Sequence, residues 1–381
     1  MKFGLLTEGE VPKGLSYSAR YHEIIKEAVF AEEMGFDFWG TSEQHFVPSA
    51  YAVSAPETLY GAVAALTSKI TIRHMSVVML RYNHPIRIAE RVATLDILCK
   101  GRLELGTARS NNIEYLKAFG VDPVTTREEY RETVEVVVRA LMESPFEYHG
   151  KFYDFGPTSI VPRLHGPKCP PLYVSATSVE THRSSGELGI GSMTHDNWFG
   201  WDYMKQCVSA HQEGLRSAKP VGGLYTINPH LALLTFPAHV AATRAKAIQE
   251  AKHSVLGLFN HVSQLYLGLA RAEKEKGGTG YSYFEGMEAL VEKGSRDIEY
   301  LIDNSPTILI GDPEQVIKRI KEYEAAGFDE VILKIDGYGH STVMRSIEMF
   351  GKYVFPEFRN PRAIPENDWE GVGVTVPSYL L

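Results

Sequence analysis

The sequence predicts an α/β fold closed as a (β/α)8 TIM barrel. Three observations point there. Short apolar runs alternate with longer stretches of helical periodicity roughly eight times along the 381 residues, and such regular alternation argues for a parallel sheet covered by helices. Eight units in one chain favour closure over an open doubly wound sheet. No glycine-rich dinucleotide fingerprint follows the first strand, which weakens the open Rossmann alternative. The expectation is a single domain over 1–381, with a long insertion at about 258–305 before the final helix and strand, and a C-terminal tail at 356–381.

The elements follow in order. "KFGLLT" (2–7) reads as a buried strand. "SARYHEIIKEAVFAEEMG" (18–35) places Ile24, Ile25, Ala28, Val29 and Ala31 near one helical face, and Gly35 stops it. "FDFWGTSE" (36–43) is the second strand, and "PETLYGAVAALTS" (56–68) is a helix with Pro56 in its first turn. "ITIRHMSVVML" (70–80) and "HPIRIAERVATLDILCKG" (84–101) form the third pair, "RLELGTAR" (102–109) and "TREEYRETVEVVVRALM" (126–142) the fourth. A loop rich in Pro and Gly (156–171) precedes "LYVSA" (172–176) and the helix "SVETHRSSGELG" (178–189). "IGSM", a helix at about 202–217, "HLALLTF" and a helix at about 239–257 come next; "DPEQVIKRIKEYEAAG" and "FDEVILKID" are the last helix and strand. The charged, glycine-rich stretch around "GGTGYSYFEGMEAL" breaks the rhythm, as a lid or a variable surface loop would.

Composition excludes several classes. Lys and Arg total 39 against 47 Asp and Glu, a formal net charge of −8. Such a surface repels nucleic acid and anionic membranes, and no basic run is long enough to reverse this. A 44% hydrophobic and 23% charged content suits a packed globular chain. Cys99, Cys169 and Cys207 show neither zinc spacing nor a disulfide framework, which suits a reducing cytoplasm. The opening residues are too poor in apolar side chains for a signal peptide, and no apolar run approaches the roughly 20 residues of a spanning helix. The expectation is a soluble cytoplasmic protein.

In a barrel, the reactive side chains stand at the C-terminal ends of the strands. That rule selects Glu43, Gln44, His45 and Phe46 after the second strand, and Ser76, Val77 and Met79 on the third. The fourth gives Thr107, Ala108 and Arg109, then Ser110, Asn111 and Asn112; the fifth gives Ala176, Thr177 and Ser178, with Thr181 one turn on. The sixth region holds His195, Asn197 and Trp198. Ser178 and Thr181 at a helix start offer hydroxyls and backbone N–H groups to an anion. Arg109 on the adjacent strand adds a permanent forked charge, and Arg127 at the head of the next helix can join it. Taken alone, Ser178 is also an ordinary helix N-cap and Arg127 an ordinary surface residue.

These residues bring a family into view. "MKFGLLT", "AEEMGFDFWGTSEQHF", "NHPIRIAERVATLDILCKGRLELGTARS", "YLKAFGVDP", "PPLYVSATSVET" and "IGDPEQVIKRIKEYEAAGFDEVILKIDGYG" occur in an order and spacing that resemble the bacterial luciferase-like flavin monooxygenases over nearly the whole chain. The resemblance implies a (β/α)8 barrel using reduced FMN from a separate flavin reductase, together with O2. It implies that Arg109, Arg127, Ser178 and Thr181 hold the flavin phosphate, and that Ser76, Val77, Thr107, Ala108, Ala176 and Thr177 line the cofactor. It also implies a cis peptide at Ser76–Val77 and a homodimer packed through the second and third helices.

Two positions depart from the luciferase pattern. Ala108 stands where luciferases carry a cysteine, and Gln44 where they carry the histidine assigned an acid/base role. An amide takes no proton at neutral pH. His45, with an ordinary pKa near 6.5, is the remaining base candidate, or else a structural histidine. The reading implied is a two-component monooxygenase that oxygenates a small organic substrate through a peroxyflavin. Gln44 and His45 are its catalytic candidates, and Tyr281, Tyr283 and Phe284 belong to its lid. Two alternatives stand beside it: a deazaflavin-dependent oxidoreductase on the same barrel, and a flavin-binding partner subunit without chemistry of its own.

Overall fold

The computed structural model describes residues 1–47, 51–110, 112–195, 199–275 and 288–359. The first half of the barrel is β1 (Lys2–Leu6), α1 (Tyr17–Glu33), β2 (Phe38–Gly40), α2 (Pro56–Leu66), β3 (Thr71–Val78), α3 (Pro85–Leu98) and β4 (Leu103–Ala108). Two helices follow, α4 (Ile113–Ala118) and α5 (Thr126–Met142), then a hairpin of β5 (Phe146–His149) and β6 (Asp154–Thr158). The barrel resumes with β7 (Leu172–Ala176), α6 (Val179–Glu187), β8 (Gly191–Thr194), α7 (Trp201–Leu215) and β9 (Leu231–Thr235). Next come β10 (Ala238–Val240), α8 (Arg244–Glu275), α9 (Glu288–Gly294), α10 (Ile298–Asn304) and β11 (Leu309–Gly311). The last elements named are α11 (Pro313–Ala325), β12 (Glu330–Lys334) and α12 (His340–Met349).

Eight parallel strands close in the order β1-β12-β9-β8-β7-β4-β3-β2. This is the predicted barrel. Proline opens α2, α3 and α11, where its missing N–H has no intrahelical partner to lose. Asp312 and Gln315 form a reciprocal capping box on α11. The outer core lies between strands and helices; the lumen is filled by Leu6, Phe38, Met75, Tyr173, Met193, Ala232, Leu234 and Ile332.

Four differences from the sequence reading have local causes. The second strand is only Phe38–Gly40, with one bridge beyond it from Ser42 to Ser76. The helix expected to end near 257 runs on to Glu275, so residues 258–275 of the expected insertion are continuous α-helix. A short antiparallel hairpin occupies 146–158, partly inside the stretch read as loop. A closing helix, α12, follows the last strand after a glycine-rich turn. Residues 276–287, with the lid aromatics Tyr281, Tyr283 and Phe284, lie outside the described residues, as do Asn111, Asn197, Trp198 and the tail from 360.

Two close approaches shape the barrel, one near the mouth and one toward its other end. The β3–β4 register shifts between His74 and Val77, a bulge that re-aims the end of β3. Gly106 faces that bulge, and a Cβ there would lie 2.1 Å from the His74 carbonyl oxygen. Helices α6 and α7 approach to backbone contact at Gly186, where a Cβ would lie 2.3 Å from the His211 carbonyl.

Candidate active site

At the C-terminal mouth, β4 and β7 are hydrogen-bonded neighbours, with Thr107 opposite Val174. Thr107 ties them further: its hydroxyl donates to the Tyr173 carbonyl at 2.8 Å and meets the Tyr130 hydroxyl of α5 at 2.7 Å. Burial raises the Tyr130 phenol to about 12, offset by the Thr107 hydrogen bond and by the nearby Arg109 charge. Arg109 is half-buried just past β4. The next residue, Ser110, turns the chain with φ +60, and Asn112 caps α4 by accepting from the Glu114 and Tyr115 N–H groups.

The fifth barrel strand delivers Ala176, Thr177 and Ser178 to the same rim. Ser178 is the N-cap of α6; its Oγ accepts from the Thr181 N–H at 3.2 Å and lies 2.9 Å from Thr181 Oγ1. Thr177 accepts from the Tyr203 hydroxyl through its carbonyl at 2.9 Å. Both expected hydroxyls therefore stand together at the positive end of a helix. Beneath them, His182 Nδ1 contacts the Ser178 carbonyl at 2.8 Å and its Nε2 contacts Thr194 Oγ1 at 2.9 Å. Burial pushes this imidazole down to about 4, so it stays neutral under the first turn of α6. Arg127 extends from the start of α5 to pair with Glu180 in the first turn of α6 at 2.5 Å, both side chains exposed. Its charge reaches the first turn of α6, held there by a carboxylate.

The third strand brings a correction. The cis peptide bonds among the described residues are Ser144–Pro145, Val161–Pro162 and Phe236–Pro237; Ser76–Val77 is trans. The irregularity at this strand end is the β-bulge. Val77 is buried in the core shared with the helices, while Ser76 is half-buried at the bridge to Ser42.

Gln44 and His45 lie past the end of β2, so strand alternation does not govern them. Gln44 Nε2 donates to Glu8 Oε1 at 3.4 Å, and the Tyr115 hydroxyl donates to Gln44 Oε1 at 3.4 Å. His45 turns the other way. Its Nε2 lies 2.9 Å from Glu43 Oε1, and its ring packs against Tyr115, Phe119 and Phe46. Glu43 also accepts from Tyr82 and Asn83. Phe46 adopts φ +57 at this turn, a strained value for an aromatic residue and a common mark of functional sites. His84 is the N-cap of α3. His195 donates its N–H to the Ala176 carbonyl at 2.9 Å.

Sequence reasoning missed a charge cluster on the opposite side of the mouth. Glu8 and Glu10 follow β1, Lys334 ends β12, and Asp336 follows it. Lys334, fully buried, contacts Glu10 closely and lies 4.0 Å from Glu8. Asp336 accepts from the N–H groups of Gly9 and Glu10 and from Arg20 at 2.9 Å. Burial raises the Glu8 carboxyl to about 7, against the pull of Lys334 and with the push of Glu10 and Asp336. The strand-end rule, applied to the first and last strands as well, selects these residues from "TEGE" and "KID". A cavity of about 920 Å³ opens at the other face, lined by charged residues including Lys2, Glu32, Asp37 and Glu104; no strand-end candidate reaches it.

Comparison with known proteins decides the family. The model of the luciferase-like monooxygenases matches residues 1–330. The chain belongs to that family. It is 23% identical to limonene 1,2-monooxygenase of Rhodococcus erythropolis, over 88% of this chain and 81% of that protein. It is 24% identical to the oxygenase component of the flavin-dependent trigonelline monooxygenase of Acinetobacter baylyi, over 94% and 96%. The alkanal monooxygenase alpha chain of Photobacterium leiognathi is 25% identical over 95% and 100%. Two solved structures share the fold. One is the oxygenating constituent of 3,6-diketocamphane monooxygenase of Pseudomonas putida in complex with FMN, with TM-score 0.74, 21% identity and coverage of 94% and 98%. The other is the coenzyme F420-dependent tetrahydromethanopterin reductase of Methanopyrus kandleri, with TM-score 0.68, 22% identity and coverage of 94% and 99%. Among the described residues, no helix is long and apolar enough to cross a membrane.

Proposed function

We propose that this monooxygenase-family chain is the oxygenase component of a two-component system, using reduced FMN from a separate flavin reductase and O2 to oxygenate a small organic substrate. The observation that carries the proposal is the pairing of two strand ends. Arg109 leaves β4 where Ser178 and Thr181 open α6 beyond the neighbouring β7. This donor set suits a phosphate monoester: a guanidinium, two hydroxyls and a helix N-terminus. Arg127 joins it when Glu180 releases it.

Ala108, Thr177 and Ser76 would flank the ring, and the small Ala108 leaves room beside it; the side chains of Val77, Thr107 and Ala176 are instead buried between the strands and the helices. Reduced FMN, when bound there, supplies the two electrons that O2 requires. The chain's own task is to hold the phosphate, position the substrate and keep water out of the mouth. Residues 258–305 are proposed as the covering element, and α2 and α3 as a homodimer contact, where Ile97 and Leu98 stand exposed. The deazaflavin reading is the second, favoured by the F420-dependent structural neighbour. Incubation with reductase, FMN, NADH and a substrate panel, followed by mass spectrometry, tests the oxygenase reading. A product heavier by one oxygen atom is the expected result; NADH consumption with no oxygenated product across the panel favours the partner-subunit alternative.

A further inference from the structure

Glu8 is held in an unusual way for a buried carboxylate. Its Oε1 accepts from Ser42 Oγ and Gln44 Nε2, each at 3.4 Å. Its Oε2 is buried and has no hydrogen-bond partner among the described residues. The nearest cation, Lys334, is 4.0 Å from that oxygen and gives its close contact to Glu10 instead. Arg20, the other cation of the cluster, is engaged by Glu23, Glu27 and Asp336. Glu10 and Asp336 face Glu8 with like charge, and the phenols of Tyr51 and Tyr115 lie within its field. The buried phenol of Tyr338 faces Lys334, Glu10 and Asp336. An orphaned buried oxygen is costly unless a ligand completes it.

We propose that Glu8 is the base of this site, and that its free Oε2 accepts the proton of an acidic substrate hydroxyl of the phenol or enol class. The substrate O–H bond breaks, an O–H bond forms on Oε2, and the substrate oxyanion is left beside the Lys334 ammonium; no electrons change hands. Lys334 disfavours a cationic ligand at the same oxygen and pairs with the anionic product. Tyr115, with His45 and Phe46 packed edge-on against it, supplies an aromatic wall. A carboxyl that titrates at about 7 is a far stronger base than one of ordinary pKa 4.5. Gln44 is then a positioning residue: an amide takes no proton, but it fixes Oε1 and leaves Oε2 for the substrate. The substrate class rests on the oxygenase reading above, whereas the proton exchange is measurable without cofactor.

The probe is 3-nitrophenol, whose absorbance distinguishes phenol from phenolate, added to the full chain without flavin at about pH 7.5, above the range where Glu8 gives up its proton and below that where this phenol ionises freely. Wild type is expected to bind the probe with a several-fold larger ionised fraction than Glu8→Gln. Difference infrared spectroscopy is expected to show a carboxyl titrating near pH 7 in wild type that is missing from Glu8→Gln. Should the glutamine variant fail to fold, Glu8→Asp, with its carboxylate withdrawn by one methylene, is expected to lower the ionised fraction in its place. Equal ionised fractions in wild type and the folded variant, no binding of the probe, or no carboxyl titrating near 7 each overturn the proposal. Reduced-FMN titration of the same samples keeps the two readings apart, because absent flavin binding with a normal phenolate signal removes the oxygenase reading alone.

Discussion

Each end of the barrel contains a buried ionic cluster, and the two are built to opposite rules. At the N-terminal end, Arg73 is clamped between the rings of Phe38 and Tyr173, with its guanidinium carbon 3.6 and 4.0 Å from their centroids. It pairs with Glu104 at 2.6 Å and Glu330 at 2.8 Å, and Lys2 reaches Glu330 at 3.2 Å. Two cations face two carboxylates. At the C-terminal end, Glu8, Glu10 and Asp336 surround one fully buried ammonium, and Arg20 is shared with Glu23 and Glu27. Acid is in excess there, and one carboxyl is displaced to about 7. A balanced cluster stiffens the barrel; an unbalanced one leaves a group whose protonation a ligand can change. The asymmetry matches the division of labour in such barrels, with stability at the bottom and chemistry at the top.

The comparison breaks most sharply at Arg73. Arg73→Ala takes the guanidinium from buried Glu330, which keeps only Lys2 and the Tyr173 hydroxyl, and from half-buried Glu104, and should cost roughly 3–5 kcal/mol of unfolding free energy in urea titration; a loss below about 1 kcal/mol would mean the bottom cluster is not a structural plug. The next effect is pH-dependent and belongs to His182 at the top. Its folded pKa of about 4 lies below the ordinary 6.5. Its contribution is therefore full above pH 6.5 and is lost as pH falls through 4. The stability advantage of wild type over His182→Gln should shrink by about 3 kcal/mol between pH 7 and pH 4, and a constant difference refutes a buried neutral imidazole. Arg109→Ala should weaken reduced-FMN binding more than tenfold, since a charge-assisted phosphate contact contributes roughly 1.5–3 kcal/mol. Smallest is Ser178→Ala, at about 1 kcal/mol for a lost helix cap; it should also weaken flavin binding, whereas a purely structural cap would leave binding unchanged.

The barrel was legible because its signals are long and periodic. "EVILK" and "LALLT" are buried at every position, as strands of a closed parallel sheet must be. Arg109, Ser178 and Thr181 were legible because they sit at the ends of such strands. The hairpin at 146–158 was not, because its strands are short and mostly exposed, and carry no alternation to read. The orientations of Gln44 and His45 were hidden for a different reason: β2 stops at Gly40, and side-chain direction beyond it is set by a turn that includes Phe46 at φ +57. The bulge at Ser76 came from strand-to-strand contact at Gly106, which no local pattern announces. Glu8 was missed because "TEGE" reads as a polar turn. Only the closing of β12 onto β1 brings Lys334 and Asp336, more than 320 residues away, against it.

The central claim is that the strand ends carrying Arg109 and Ser178 receive reduced FMN. Anaerobic titration of the purified chain with reduced FMN and, separately, with a reduced deazaflavin cofactor tests it most directly. Tighter binding of reduced FMN, lost more than tenfold in Arg109→Ala, is the predicted result; tighter binding of the deazaflavin, or FMN binding indifferent to Arg109, would contradict it.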